Sequence, residues 1–253
     1  MDRSFLSSQA VVTASRRFVC ARLATYEDVE ESKMLAAMAR TASGQLENSV
    51  FALLAPDGVT RLARTGRSIR QVYGSAAQMA QGMDAIAQAH PGSGRVADLS
   101  LPLASSVPIG LTVAAADSLP LVVLPSGVSD EQVASLAKVA WRPDLAGRLQ
   151  FARLKDASEL AGVKKTPPGS SDLLVIAPDE FAQGGEVIAT LAVADPAAWE
   201  KALRVALEGF KGSVKTMRTH IPEGKRLGVF YDPAQPVTDP MELRARERNR
   251  PRP

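Results

Sequence analysis

The chain has 253 residues, 45% of them hydrophobic and 23% charged, with a formal net charge of +3. This is globular composition, and the length suits one large or two ordinary domains. Cys20 is the single cysteine, which excludes an internal disulfide and a multi-thiolate metal cluster, and no apolar run approaches the ~20 residues that span a bilayer.

In chain order, residues 4–15 read as a short helix with Leu6, Ala10, Val11 and Ala14 on one side. Residues 18–25 read as a strand. Thr25 then opens a helix, with Asp28 in a capping-box position and Gly44 as its stop. Residues 50–55 and 59–65 read as a hairpin about Pro56-Asp57-Gly58, and 76–89 as a helix with Met79, Met83 and Ile86 in register. Pro91-Gly92-Ser93-Gly94 breaks the chain, which places a domain boundary near 98.

The second unit, 99–212, opens with strands at 109–115 and 121–124. Ser129 caps the next helix with Gln132 at N3, and Pro143 stops it. A strand at 148–154, a helical turn near 156–161 and strands at 173–177 and 186–191 follow. Asp195-Pro196 opens a helix that buries Trp199, Leu203, Ala206, Leu207 and Phe210. Residues 213–232 read as a hairpin extension turning at Pro222-Glu223-Gly224. The Pro/Arg-rich remainder, 233–253, reads as disordered. Residues 241–253 hold five Arg and two Glu, so the basic excess is assigned to a tail rather than to a folded face.

A pattern recurs. Val50-Phe51-Ala52-Leu53-Leu54-Ala55-Pro56-Asp57-Gly58 is echoed by Asp172-Leu173-Leu174-Val175-Ile176-Ala177-Pro178-Asp179-Glu180, and Cys20-Ala21-Arg22-Leu23 by Phe151-Ala152-Arg153-Leu154. Each unit then runs helix, strand, helix, strand, strand, helix, the second with an extra strand in front. This order, with an Ala-Pro-Asp turn between the last two strands, resembles the thioredoxin-like fold. The implied architecture is α/β, two tandem units of mixed sheet flanked by helices, the first incomplete at its N-terminus. Residues 107–210 resemble the fold best, with 121–124 as the central strand. Gly162-Val163-Lys164-Lys165-Thr166-Pro167 is similar to the approach to that family's cis-proline.

The family's redox chemistry needs a low-pKa thiolate at a helix N-terminus and a second thiol to resolve the mixed disulfide. The matching slot here reads Pro125-Ser126-Gly127-Val128-Ser129, and the first unit's slot near 2–7 also lacks cysteine. Cys20 falls in the following strand, opposite apolar Phe151 in the repeat, and is expected to be a buried core thiol.

Other constellations are weak. Gly92-Ser93-Gly94-Arg95-Val96-Ala97 fits G-x-G-x-x-A but follows a helix instead of a strand, so it reads as linker. There is no G-x-S-x-G, no G-x-x-x-x-G-K and no H-E-x-x-H. His90 sits at a helix end and His220 on a polar strand face. Glu27, Asp28, Glu30 and Glu31 complement a helix dipole. Arg61, Arg64, Arg67 and Arg70 form a candidate anion patch.

The resemblance implies a non-catalytic binding or scaffold protein. Its groove for a protein or peptide partner would be built from Ser126, Gly127, Ser129, Thr166, Pro167 and Pro168. No cofactor and no membrane span are expected, and the 241–253 tail offers a contact for an anionic partner. A cytoplasmic location is the default expectation, with export if a signal peptide precedes Met1. The alternative is a thiol oxidoreductase or peroxidase using Cys20 or a cysteine motif upstream.

Overall fold

The computed structural model describes residues 3–21, 23, 25, 28–38, 50–91, 100–169, 171–213, 215–229, 243–244 and 247–248. The linker motif at 92–97, most of the expected tail and the expected stop at Gly44 lie outside these residues. The chain divides into two compact units, one spanning 1–95 and the other, in the main, 96–233.

In the first unit the described helices are α1 (Arg3–Leu6), α2 (Gln9–Ser15), α3 (Val29–Met38) and α4 (Ala76–Ala89). The α4 start follows from Ser75, whose Oγ accepts the Gln78 N–H at 3.2 Å. For α3 the cap is Asp28, not Thr25: Asp28 Oδ1 accepts the N–H groups of Glu30 and Glu31. Phe5, Val11, Ala14, Leu53, Ile69, Met79, Ala80 and Met83 form the core. The hairpin about Pro56 is held by two isolated antiparallel bridges, Phe51 to Gly66 and Leu54 to Arg61. The described residues of the 18–25 stretch form no strand.

The second unit is α/β. Its six-stranded mixed sheet runs in the order β1-β3-β2-β5-β6-β4, with β1 (Leu103–Ala104), β2 (Leu121–Leu124), β3 (Gln150–Arg153), β4 (Val163–Lys164), β5 (Leu173–Pro178) and β6 (Gly185–Leu191). β1, β3 and β2 are parallel; β5 runs antiparallel to both β2 and β6. β4 runs parallel to β6 at the far edge. β2 is buried throughout, and its alternate residues feed two cores. Val122 and Leu124 join Leu136, Phe151, Val175, Trp199 and Leu203 beneath α6 (Asp130–Ala140) and α7 (Pro196–Gly209). Leu121 and Val123 join Val107, Leu111, Ala114, Leu174 and Ile176 beneath α5 (Val107–Asp117). The result is a sheet sandwiched between helical layers.

Two expectations are corrected. Residues 109–115 are helical, as part of α5. Their β-branched Ile, Thr and Val suggest a strand, but Ser106 Oγ caps the Ile109 N–H and Pro108 starts the helix. Gly110 lets this helix approach the sheet closely: a Cβ there would lie 2.9 Å from Leu121 Cδ1. The 213–232 hairpin is likewise replaced by a helix, α8 (Met217–Arg226), which contains Pro222. Tertiary contact overrides the turn signal. The His220 ring stacks on Phe181 with centroids 4.5 Å apart, and Gly224 packs against the same Phe181 ring.

Candidate functional site

β2 and β3 end, and β5 begins, at one end of the sheet, since Leu124 pairs with Arg153 and Val123 with Leu174. α6 starts from this end. A side-chain capping box closes its N-terminus. Ser129 Oγ accepts the Gln132 N–H at 3.3 Å, and Gln132 Oε1 accepts the Ser129 N–H at 3.0 Å, the reciprocal capping box. Gln132 Nε2 donates to the Val193 carbonyl at 3.1 Å, and Val193 N–H donates to Asp172 Oδ1 at 3.3 Å. One amide side chain thus ties the helix start to the end of β6, and Asp172 ties that end to the entry of β5. Glu131, in the first turn, has its carboxyl held below the ordinary range by the Ser129 side-chain hydrogen bond.

Of the six expected groove residues, Ser126, Gly127 and Ser129 lie exposed in the loop between β2 and α6, flanked by buried Pro125 and Val128. Thr166, Pro167 and Pro168 follow β4, and Thr166 Oγ1 donates back to the Val163 carbonyl at 3.1 Å. β4 sits three strand positions from β2, about 14 Å at ~4.8 Å per strand. β5, the next strand in the chain, lies beside β2 and two positions from β4. The link from the start of α6 to the entry of β5 runs through Gln132, Val193 and Asp172. Both bonds preceding Pro167 and Pro168 are trans. The Lys165 ammonium, 2.5 Å from Glu186 Oε1, fastens β4 to β6 and holds the Glu186 carboxyl below its usual value.

Sequence reasoning missed three residues of this end. Asp172 and Val193 hide because their contacts join segments about twenty positions apart. Arg153 ends β3 opposite Leu124, and its Nε is buried without a hydrogen-bond partner among the described residues; the only sequence signal was its place in the repeat.

Two residues of the candidate anion patch make contacts within the first unit. Arg61 Nη2 donates to the Met38 carbonyl at 2.6 Å, so it holds the hairpin to α3. The Arg70 guanidinium lies 5.5 Å from the centre of the Phe5 ring and covers the first core. Arg64 and Arg67 are exposed, and Arg67 N–H is held by Gln71 Oε1. Cys20 is exposed rather than buried, with Sγ 3.8 Å from the Ser15 carbonyl. The reason is local. Cys20 follows the end of α2 in irregular chain, whereas its supposed counterpart Phe151 lies in a central strand at 3% exposure. Among the described residues no cluster of three or more His, Cys, Asp or Glu is placed to hold a metal, and no helix is long and apolar enough to cross a membrane.

No protein-family profile, curated protein or solved structure matches this chain.

Proposed function

We propose that the second unit is a thioredoxin-like module without redox chemistry, which binds an extended segment of a protein or peptide. The incoming chain lies between the Ser126–Ser129 loop and the Thr166–Pro168 segment. The observation that carries this reading is the α6 start. A buried central strand runs into a helix N-terminus, and the antiparallel pair β5–β6 follows Pro167, as in the resemblance. Yet the slot holds Pro125, Ser126, Gly127 and Val128, and the helix start behind it is closed by the Ser129–Gln132 capping box. A rigid, capped rim supports binding, and the missing thiols remove exchange chemistry. For the first unit, the reading retains only the shared Ala-Pro-Asp turn.

The test is amide chemical-shift mapping of the full chain with a pool of unstructured, capped 12-residue peptides. Perturbation centred on 126–129 and 165–172 is expected. Perturbation confined to other surfaces, or none at millimolar peptide, refutes it. The exposure of Cys20 supports the second reading, a thiol reaction, which is separated by insulin reduction with dithiothreitol. A rate indistinguishable from the uncatalysed one is expected, and an acceleration that Cys20→Ala removes would reverse the choice.

A further inference from the structure

At the opposite end of the sheet lies a surface that the sequence pattern misplaced. Residues 211–226 contain five Lys or Arg and one Glu, a net +4 that exceeds the +3 of the entire chain. The structure gathers most of this onto and beside α8. The helix is fixed by its inner side. Lys215 Nζ donates to the Ala115 carbonyl at the end of α5, His220 stacks on Phe181, and Gly224 is buried against that ring. Ser118 Oγ donates to the Ser213 carbonyl and anchors the approach.

Arg218, Ile221, Pro222 and Lys225 stand at i, i+3, i+4 and i+7, which is one face of a helix. All four are exposed, Ile221 to 49%, and Arg226 flanks them with its guanidinium on Glu223. Two cations about 10 Å apart along the axis therefore bracket an apolar side chain.

We propose that this outward face of α8 docks an acidic peptide segment carrying an aliphatic residue between its carboxylates. The charge selects an anionic partner and Ile221 selects among anionic partners. A duplex phosphate backbone offers nothing to an isoleucine at the centre of the contact, and the aromatic ring that α8 packs on, Phe181, is stacked on His220 rather than open to a base. A bilayer needs more inserted apolar area than one isoleucine and one proline provide. This surface is separate from the proposed groove, so either reading stands or falls alone.

The experiment is fluorescence anisotropy of the full chain with a labelled 15-residue Glu/Leu peptide at low salt. Its comparison probes are the same peptide with Leu replaced by Ser, a 20-base-pair DNA duplex, and phosphatidylserine vesicles. Arg218→Glu with Lys225→Glu is expected to weaken peptide binding about 10-fold or more, and Ile221→Ser a few-fold. Replacing the five tail Arg by Ser is expected to leave binding unchanged. Circular dichroism confirms that each variant retains its helix. The proposal is overturned if the Glu/Leu peptide does not bind, or if the α8 variants bind it as the parent does. Loss of binding with the tail Arg, or tighter binding of duplex or vesicles than of peptide, overturns it equally.

Discussion

Gln132→Ala isolates the device that holds the candidate rim together. The substitution removes two side-chain hydrogen bonds, from Ser129 N–H to Oε1 and from Nε2 to the Val193 carbonyl. It leaves the Ser129 Oγ cap on the residue-132 N–H. At ~1 kcal/mol per bond the loss is about 2 kcal/mol. Ser129→Ala removes the hydroxyl that accepts the Gln132 N–H and bonds the Glu131 carboxyl, for about 1 kcal/mol. The two share one box, so the double variant should cost less than the sum, with a coupling of ~0.5–1 kcal/mol. Urea unfolding read by tryptophan fluorescence is a suitable assay, because both tryptophans, Trp141 and Trp199, lie in the second unit. Trp199 is almost fully buried and donates its indole N–H to the Ala192 carbonyl. With a slope near 2 kcal/mol/M, Gln132→Ala lowers the midpoint by about 1 M. A shift below about a quarter of that, or strict additivity, would refute the claim that Gln132 couples α6 to the sheet end.

Gly184→Ala should cost ~1–3 kcal/mol, because its Cβ would overlap the Gly162 carbonyl oxygen, a backbone atom that cannot swing away. Gly127→Ala, whose Cβ meets nothing, should stay within ~0.5 kcal/mol in the same urea titration; equal effects would refute the close approach. Phe181→Ala should raise amide exchange across 217–226 about 10-fold while sparing β2, because Pro222 and Gly224 make α8 a poor helix without its tertiary contact. Unchanged exchange would place the support of α8 elsewhere. The carboxyls of Asp144, Asp156 and Glu186 are held below their ordinary values, chiefly by hydrogen bonds to Arg204, Ser158 and Lys165 respectively. Depressed carboxyls give stability that is present above the unfolded values, ~3.9 and ~4.3, and is lost as pH falls through the folded ones. Lys215 is depressed by burial, opposed by Glu180 and Asp179, so stability should rise as pH climbs from its folded value towards ~10.4. Urea midpoints between pH 3 and 10 check both arms, and Lys215→Met should abolish the alkaline arm alone.

What was legible in the sequence was chiefly local. Ser129 with Gln132 announced the capping box, and the structure forms both of its bonds. The Met79, Met83 periodicity gave α4 to the residue. The buried run at 121–124 was legible as a strand because its apolar stretch is bounded by prolines at 120 and 125 and is too short for a helix. What failed was decided by distant partners. Residues 109–115 carry the composition of a strand but pack as a helix over Leu121 and Ala152. Pro222-Glu223-Gly224 carries the composition of a turn, but Phe181, some forty positions earlier, holds it helical. The rim residues Asp172 and Val193 obey the same rule: their bond spans β5 and β6 and leaves no periodic trace.

The repeated Ala-Pro-Asp pattern has a physical cause simpler than two copies of one fold. Asp57 Oδ1 accepts the N–H groups of Val59 and Thr60, and its carboxyl is held below the ordinary range by the Thr60 hydroxyl first and by these two bonds next. Asp179 Oδ1 accepts those of Phe181 and Gln183. In both, an apolar run enters the turn, proline fixes the backbone before it, and a short carboxylate replaces the backbone acceptors that the turn lacks. The surroundings then differ. The second turn joins two strands inside a six-stranded sheet, while the first joins segments linked by isolated bridges. The upstream echo separates in the same way, with Phe151 in a central strand and Cys20 exposed in irregular chain. The sequence similarity therefore reports a turn solution used twice. The thioredoxin-like reading of the second unit rests on its own strand order and on the capped start of α6, and it loses nothing if the first unit is built differently.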